Sequence, residues 1–124
     1  MNPPRQNLLA SFVAAFSGLG ALWQGRNARL QCLASLMVVG CGAALGISGG
    51  EWCLVLLCCG AVLAAECFNT ALEKLADALH PERHPLVGQA KDVAAAGVLL
   101  LALASATIGA IVFLPKFILL FHAH

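Results

Sequence analysis

Two stretches of this chain run without a charge for longer than the hydrocarbon core of a bilayer is thick. Between Arg29 and Glu51 lie about 21 uncharged residues, and between Asp92 and Lys116 about 23, where about 20 suffice for a spanning helix. A third run, Trp52 to Ala65, is about 14 residues and too short alone. It becomes a span only by continuing into the polar segment that follows. Hydrophobic residues make up 60% of the 124 residues and charged residues 10%. A soluble chain this small cannot hide such a share, because small domains bury the least of their surface. The net charge of +1 offers no basic footprint, so no nucleic acid partner is expected. A multi-pass membrane protein remains.

The expected fold is all-α, a single membrane domain over 1–124. An amphipathic surface helix is expected over about 7–24, because Leu8, Phe12, Phe16, Leu19 and Trp23 recur at helical spacing. Transmembrane helices are expected over about 30–47, 51–79 and 87–114. Gly42, Gly46 and Gly50 stand four apart, a stripe of small residues that lets helices approach. Ser48-Gly49-Gly50 reads as a turn, His80-Pro81 and His84-Pro85 frame a loop, and Pro115 is expected to end the last helix. His122 and His124 read as a frayed tail.

Arg5, Arg26 and Arg29 precede the first span, and Lys74, Arg83 and Lys91 surround the second loop, while the Ser48–Glu51 turn has no basic residue. Positive charge stays inside, so the N-terminus and the Lys74–Lys91 region are expected in the cytoplasm, with Lys116 the exception. Ser11, Ser17, Gly18 and Gly20 interrupt the apolar stretch after Arg5, and no cleavage site follows, so that segment reads as retained rather than as a signal peptide. The six cysteines sit in apolar stretches without a CxxC pair and read as reduced, small core residues.

Chemistry concentrates between Glu66 and Asp77. At 100° per residue, Glu66, Asn69, Glu73 and Asp77 fall within an arc of about 80° and extend about 16 Å along one helical face. An acidic side chain deep in a bilayer costs about 2.5–3.5 kcal/mol, so a cation, a partner or water must offset it. Lys91 and Asp92 open the next helix on the same side. One carboxylate to take a hydroxyl proton, another to hold Mg²⁺ and a lysine to neutralise phosphate suit phosphoryl transfer to a lipid alcohol. Two other readings stay open: a solvated helix end for Glu73, Lys74 and Asp77, and a proton or ion carrier built on Glu66.

At this stripe the sequence resembles the small prokaryotic lipid kinases, the diacylglycerol kinase and undecaprenol kinase family. Glu66-x-x-Asn69-Thr70-Ala71-Leu72-Glu73-x-x-x-Asp77 looks like the family signature, and Ala90-Lys91-Asp92-Val93-Ala94-Ala95 resembles its third-helix start. Phe12-x-x-Ala15-x-x-Gly18 and Arg26-Asn27-x-Arg29 are similar to its surface-helix and first-span motifs. The ending Thr107-x-Gly109-Ala110-x-x-Phe113-Leu114-Pro115 leans toward the undecaprenol kinase branch. The resemblance covers about Phe12 to Phe117 and implies a homotrimeric helical bundle with active sites shared between subunits at the cytoplasmic face of the bacterial inner membrane. By the same resemblance Glu66 is the general base and Asn69 positions the hydroxyl. Glu73 binds Mg²⁺ and ATP, Lys91 and Asp92 contact ATP phosphates, and Glu82 and His84 lie where the family loop meets nucleotide. Asp77, Arg29 and Gln24 support the site.

One departure motivates a different class of function. The family usually has a glutamate just before R-N-x-R, a second Mg²⁺ ligand, whereas Gln24-Gly25 stand there and no acidic residue occurs between Met1 and Ile47. A catalytically impaired relative, acting as a membrane scaffold or lipid-binding protein, is the alternative to an active kinase.

Overall fold

The computed structural model of the chain describes residues 7–123; Arg5 and His124 lie outside them. Four helices follow in order: α1 (Leu8–Leu22), α2 (Arg26–Leu45), α3 (Gly49–Leu79) and α4 (Pro85–His122). The last three are each long and apolar enough to cross a membrane, while α1 is a shorter apolar helix. The protein is thus an all-α membrane protein with three candidate spans.

Local chemistry sets most of the helix ends. Asn7 Oδ1 accepts from the Leu9 N–H at 3.4 Å to start α1. Ser48 starts α3 through a reciprocal capping box: its Oγ accepts from the Glu51 N–H at 3.2 Å, and Glu51 Oε2 accepts from the Ser48 N–H at 2.8 Å. His84 starts α4, its Nδ1 accepting from the Leu86 N–H at 3.3 Å, with Pro85 in the first turn where no N–H is needed. Only α2 begins without a side-chain cap, at Gly25.

Several boundaries differ from the sequence reading. Gly49 and Gly50 belong to the first turn of α3, so the turn is made by Gly46 to Ser48. Gly46, at φ 60°, is the left-handed stop of α2, a conformation open to glycine. A Cβ on Gly46 or Gly50 would meet nothing within 4 Å, so neither extends a close-packing stripe within the chain. Gly42 alone is crowded: a Cβ there would lie 2.9 Å from Ile47 Cδ1 and 3.1 Å from the Trp52 ring. Pro115 does not end α4, which continues to His122. Proline removes one hydrogen bond, and membrane helices tolerate that when neighbours hold the next turn. Here Lys116 Nζ is held by Glu51 Oε2 at 3.1 Å, and His122 Nδ1 stands 2.8 Å from the Ile118 carbonyl, so His122 is not frayed.

Packing and polarity separate along the bundle. Ile47, Val55, Val112 and Phe113 form the buried cluster, with Trp52, Cys41, Cys59 and Ile108 against it. That cluster lies at the Glu51–Lys116 end. All six cysteines are free thiols. At the other end, α3 turns polar. A helix entering the hydrocarbon at Gly49 leaves it after about 20 residues, near Phe68 and Asn69.

Candidate active site

Glu66 and Asn69 are the only buried polar or charged residues described, at 5% and 7% exposure, although most of the apolar surface around them is open. They owe their burial to α1 and α2, whose junction folds against this part of α3. Ala21, Gln24, Gly25, Arg26 and Asn27 from the junction, with Glu66, Asn69, Thr70, Glu73, Lys74 and Asp77 from α3, line a recess of about 370 Å³. The stripe read from helical spacing is therefore one continuous wall of a cavity.

Within it, Asn69 donates from Nδ2 to Glu73 Oε1 at 3.2 Å, one turn away. This aims the Glu73 carboxylate and fixes the amide, since Oδ1 must then face the other way. Oδ1 is buried and has no donor among the described residues. A buried carbonyl oxygen without a partner costs about 1–3 kcal/mol, which the hydrogen bond to Glu73 offsets only in part.

A second recess, of about 500 Å³, opens beside the α3–α4 loop and is lined by residues including Asp77, His80, Glu82, Arg83, His84 and Lys91. Asp77 belongs to both recesses. Lys91 donates to Asp77, which ties the start of α4 to the end of α3 where the two cavities meet. The His80 and His84 rings stand 5.2 Å apart.

The structure brings Glu66, Asn69, Glu73, Asp77 and Gln24 together in one recess, and Glu82, His84 and Lys91 in the other. Arg29 and Asp92 are exposed and line neither. Arg26, Asn27, Thr70 and Lys74 line the first recess without having been singled out as site residues. For Arg26 a signal existed, because it opens the same motif that contains Arg29; which arginine faces the cavity depends on the start of α2. Lys74 read as part of a solvated helix end.

No group of three or more Cys, His, Asp or Glu able to enclose a metal exists among the described residues. The carboxylates lining the first recess still fit magnesium, which takes one or two carboxylates and completes its shell with phosphate oxygens and water. Glu73, aimed by Asn69, supplies a hard oxygen of that kind.

The family described as Prokaryotic diacylglycerol kinase matches residues 13–113. An undecaprenol kinase of Bacillus subtilis (strain 168) is 34% identical over 116 residues, covering 90% of this chain and 94% of that protein. A diacylglycerol kinase of Pseudomonas aeruginosa is 35% identical over 88 residues, 71% of this chain and 67% of that protein. A diacylglycerol kinase of Synechocystis is 33% identical over 111 residues, 88% of this chain and 63% of that protein.

Proposed function

The chain belongs to the prokaryotic diacylglycerol kinase family of membrane lipid kinases, phosphotransferases with an alcohol acceptor, and on that premise we propose that it moves the terminal phosphate of ATP onto undecaprenol or diacylglycerol at the cytoplasmic face of the bacterial inner membrane. The single observation that carries this reading is the burial of Glu66 and Asn69, with an unpaired amide oxygen, in a recess at the polar end of a spanning helix. A membrane-embedded alcohol reaches that depth from the lipid, and a nucleotide reaches the loop recess from water.

Glu66 is the base. Its carboxylate takes the proton of the lipid hydroxyl while that oxygen bonds to the terminal phosphorus of ATP. The bond from that phosphorus to the bridging oxygen breaks, and ADP leaves with the electron pair. The lipid product is undecaprenyl phosphate or phosphatidic acid. Asn69, on the same wall of the recess, helps to position that hydroxyl. Lys91, Glu82 and His84 hold the nucleotide, with Asp77 setting the place of Lys91. Glu73, aimed by Asn69, would hold Mg²⁺, which supplies neutralisation of phosphate charge when bound. Burial of the carboxylate makes proton transfer effective, because water no longer competes for the hydroxyl.

The family resemblance supports a homotrimer with sites shared between subunits. Undecaprenol is the first substrate to test. The relative of that name is matched over 94% of its length, against 67% and 63% for the two diacylglycerol kinases.

Gly25 in the recess wall favours the second reading, a relative with weakened metal binding, because no carboxylate faces Glu73 from α2. Labelled phosphate transfer from ATP onto a panel of lipid alcohols, with Mg²⁺ titrated, separates the two. Transfer to at least one lipid supports the kinase. Lipid binding without transfer at any Mg²⁺ concentration supports the scaffold.

A further inference from the structure

Past the polar recess, the same helix faces continue into the hydrocarbon as an apolar groove of about 330 Å³. On α3, Val62 and Val55 continue the face that carries Glu66, and on α2, Gln31 and Val38 continue the face that carries Asn27. The third wall is α4, through Ala102, Ala106 and Gly109. The Lys91–Asp77 and Lys116–Glu51 pairs set α4 antiparallel on α3. That register puts Ala102 level with Glu66 and Gly109 level with Cys58 and Cys59. The far end is closed, because Val55 belongs to the buried cluster of Val112 and Phe113, and Val38 and Ile108 pack against it. The near end lies one turn from Glu66.

Whatever fills this space is thin and apolar. No carboxylate, lysine, arginine or histidine lines it. Ser35 and Ser105 stand in helices, where a hydroxyl can turn back to the carbonyl of the preceding turn, and Gln31 stands at the near end, one turn past Asn27. A helix is about 10–12 Å across and does not enter a cavity of this size. Small side chains commonly let helices close up on one another, but here they leave room: a Cβ on Gly109 would meet nothing within 4 Å. The other apolar recess, between α1 and α3, is lined by Cys67, Thr70 and Lys74. It lies where α3 leaves the hydrocarbon, so a tail descending into the bilayer from Glu66 does not pass through it.

We infer that this groove seats the start of the single hydrocarbon tail of a polyprenol, with its hydroxyl at Glu66 and its chain running along α3 toward Val55. This rests on the lipid kinase reading and deepens it, from lipid alcohols in general to polyprenols. One groove takes one chain. Diacylglycerol splits into two chains close to its hydroxyl, so only one of them can enter, whereas a polyprenol enters as it is. Groove length then sets how much of the chain is held. Glu66 to Val55 spans about 16 Å, after which the buried cluster blocks the way. Isoprene units within that reach touch the protein, and later ones turn out into the bilayer. Ala102 stands at the start of this measure and Gly109 near its end.

The test measures equilibrium binding by the full chain in phosphatidylcholine nanodiscs without nucleotide, so it does not depend on phosphate transfer. The probes are radiolabelled geraniol, farnesol, geranylgeraniol, undecaprenol and dioleoylglycerol. Each is counted as a mole fraction of the nanodisc lipid, which cancels partitioning into the bilayer. The unmodified protein is expected to bind prenols more tightly from geraniol to geranylgeraniol, with no further gain at undecaprenol. Gly109→Leu fills the far end, where the space is open. It is expected to leave geraniol unchanged and to weaken geranylgeraniol and undecaprenol about ten-fold. That is the lower end of what a misfitted methylene costs in an apolar pocket, because the displaced tail returns to lipid and not to water. Ala102→Leu, at the near end, is expected to weaken every prenol, geraniol included. Should Gly109→Leu misassemble, Ala106→Leu takes its place, with geranylgeraniol weakened more than geraniol. Binding of the β,γ-methylene analogue of ATP, measured separately, stays unchanged in all three variants. Four results would overturn the groove: affinities indifferent to prenol length, equal losses for geraniol and geranylgeraniol in Gly109→Leu, tighter binding of dioleoylglycerol than of geranylgeraniol by the unmodified protein, or unchanged prenol binding in the variants. A fall in subunit number beside unchanged prenol binding would give the groove to a second copy instead. The kinase reading fails separately, if no lipid alcohol accepts phosphate with ATP and magnesium present.

Discussion

Asn69 gives one amide hydrogen to Glu73 Oε1 at 3.2 Å, across a single turn of α3, and keeps its own Oδ1 buried without a donor among the described residues. One side chain therefore aims a carboxylate and presents an unpaired acceptor at once. Removing it disturbs both. Asn69→Ala is expected to lower phosphate transfer by about 10- to 100-fold, the size typical of losing a residue that orients a metal-binding carboxylate. The magnesium dependence should move to higher concentration in the same variant. Initial rates at a series of Mg²⁺ concentrations check both parts.

The Lys91–Asp77 pair is a different kind of contact. Its side chains are 32% and 68% exposed, so it adds about 1 kcal/mol of stability at most. Its importance is positional. Asp77→Asn is expected to leave the melting temperature nearly unchanged while raising the KM for ATP severalfold, because Lys91 loses its guide. Lys91→Met should lower kcat as well. Steady-state kinetics beside a thermal melt distinguish these outcomes.

At the opposite end, Glu51 has two tasks: it completes the capping box of Ser48 and holds Lys116 at 3.1 Å. Lys116 has one. Glu51→Ala is expected to lower the melting temperature in nanodiscs more than Lys116→Met does, with little effect of either on the KM for ATP. Equal melting temperatures for the two variants would show that the capping box contributes nothing.

Gly42 and Gly46 respond to alanine for different reasons. At Gly42 the new Cβ meets the Trp52 ring at 3.1 Å, and overpacking of this kind costs about 1–3 kcal/mol. At Gly46 space is open, but φ is 60°, and a side chain in that conformation costs roughly 1–2 kcal/mol. A compensating Trp52→Phe change is expected to recover part of the loss in Gly42→Ala and none in Gly46→Ala, as read by thermal melts.

How much of this was legible beforehand follows from which forces act locally. Charge spacing announced the helices, since a charged residue inside the hydrocarbon is too costly to ignore. Helical periodicity placed Glu66, Asn69, Glu73 and Asp77 on one face, and the recess has that face as its wall. Pro115 misled, because whether a helix survives proline depends on what holds the following turn. Here that holder is Glu51, at the far end of another helix. Arg26 was hidden for the same reason. Only the fold of the α1–α2 junction against α3 decides that Arg26, and not Arg29, lines the recess. The glycine spacing at Gly42, Gly46 and Gly50 was real, but the helix stops at the second of them.

The central claim is that Glu66 takes the proton from the lipid hydroxyl. Its most direct test is phosphate transfer by Glu66→Gln in nanodiscs, with saturating ATP, Mg²⁺ and undecaprenol, beside a measurement of subunit number. The account predicts an assembled protein that still binds the ATP analogue and transfers phosphate at least about a hundred-fold more slowly, the lower end of the range expected when a general base is lost. An assembled variant that turns over at the unmodified rate would contradict it.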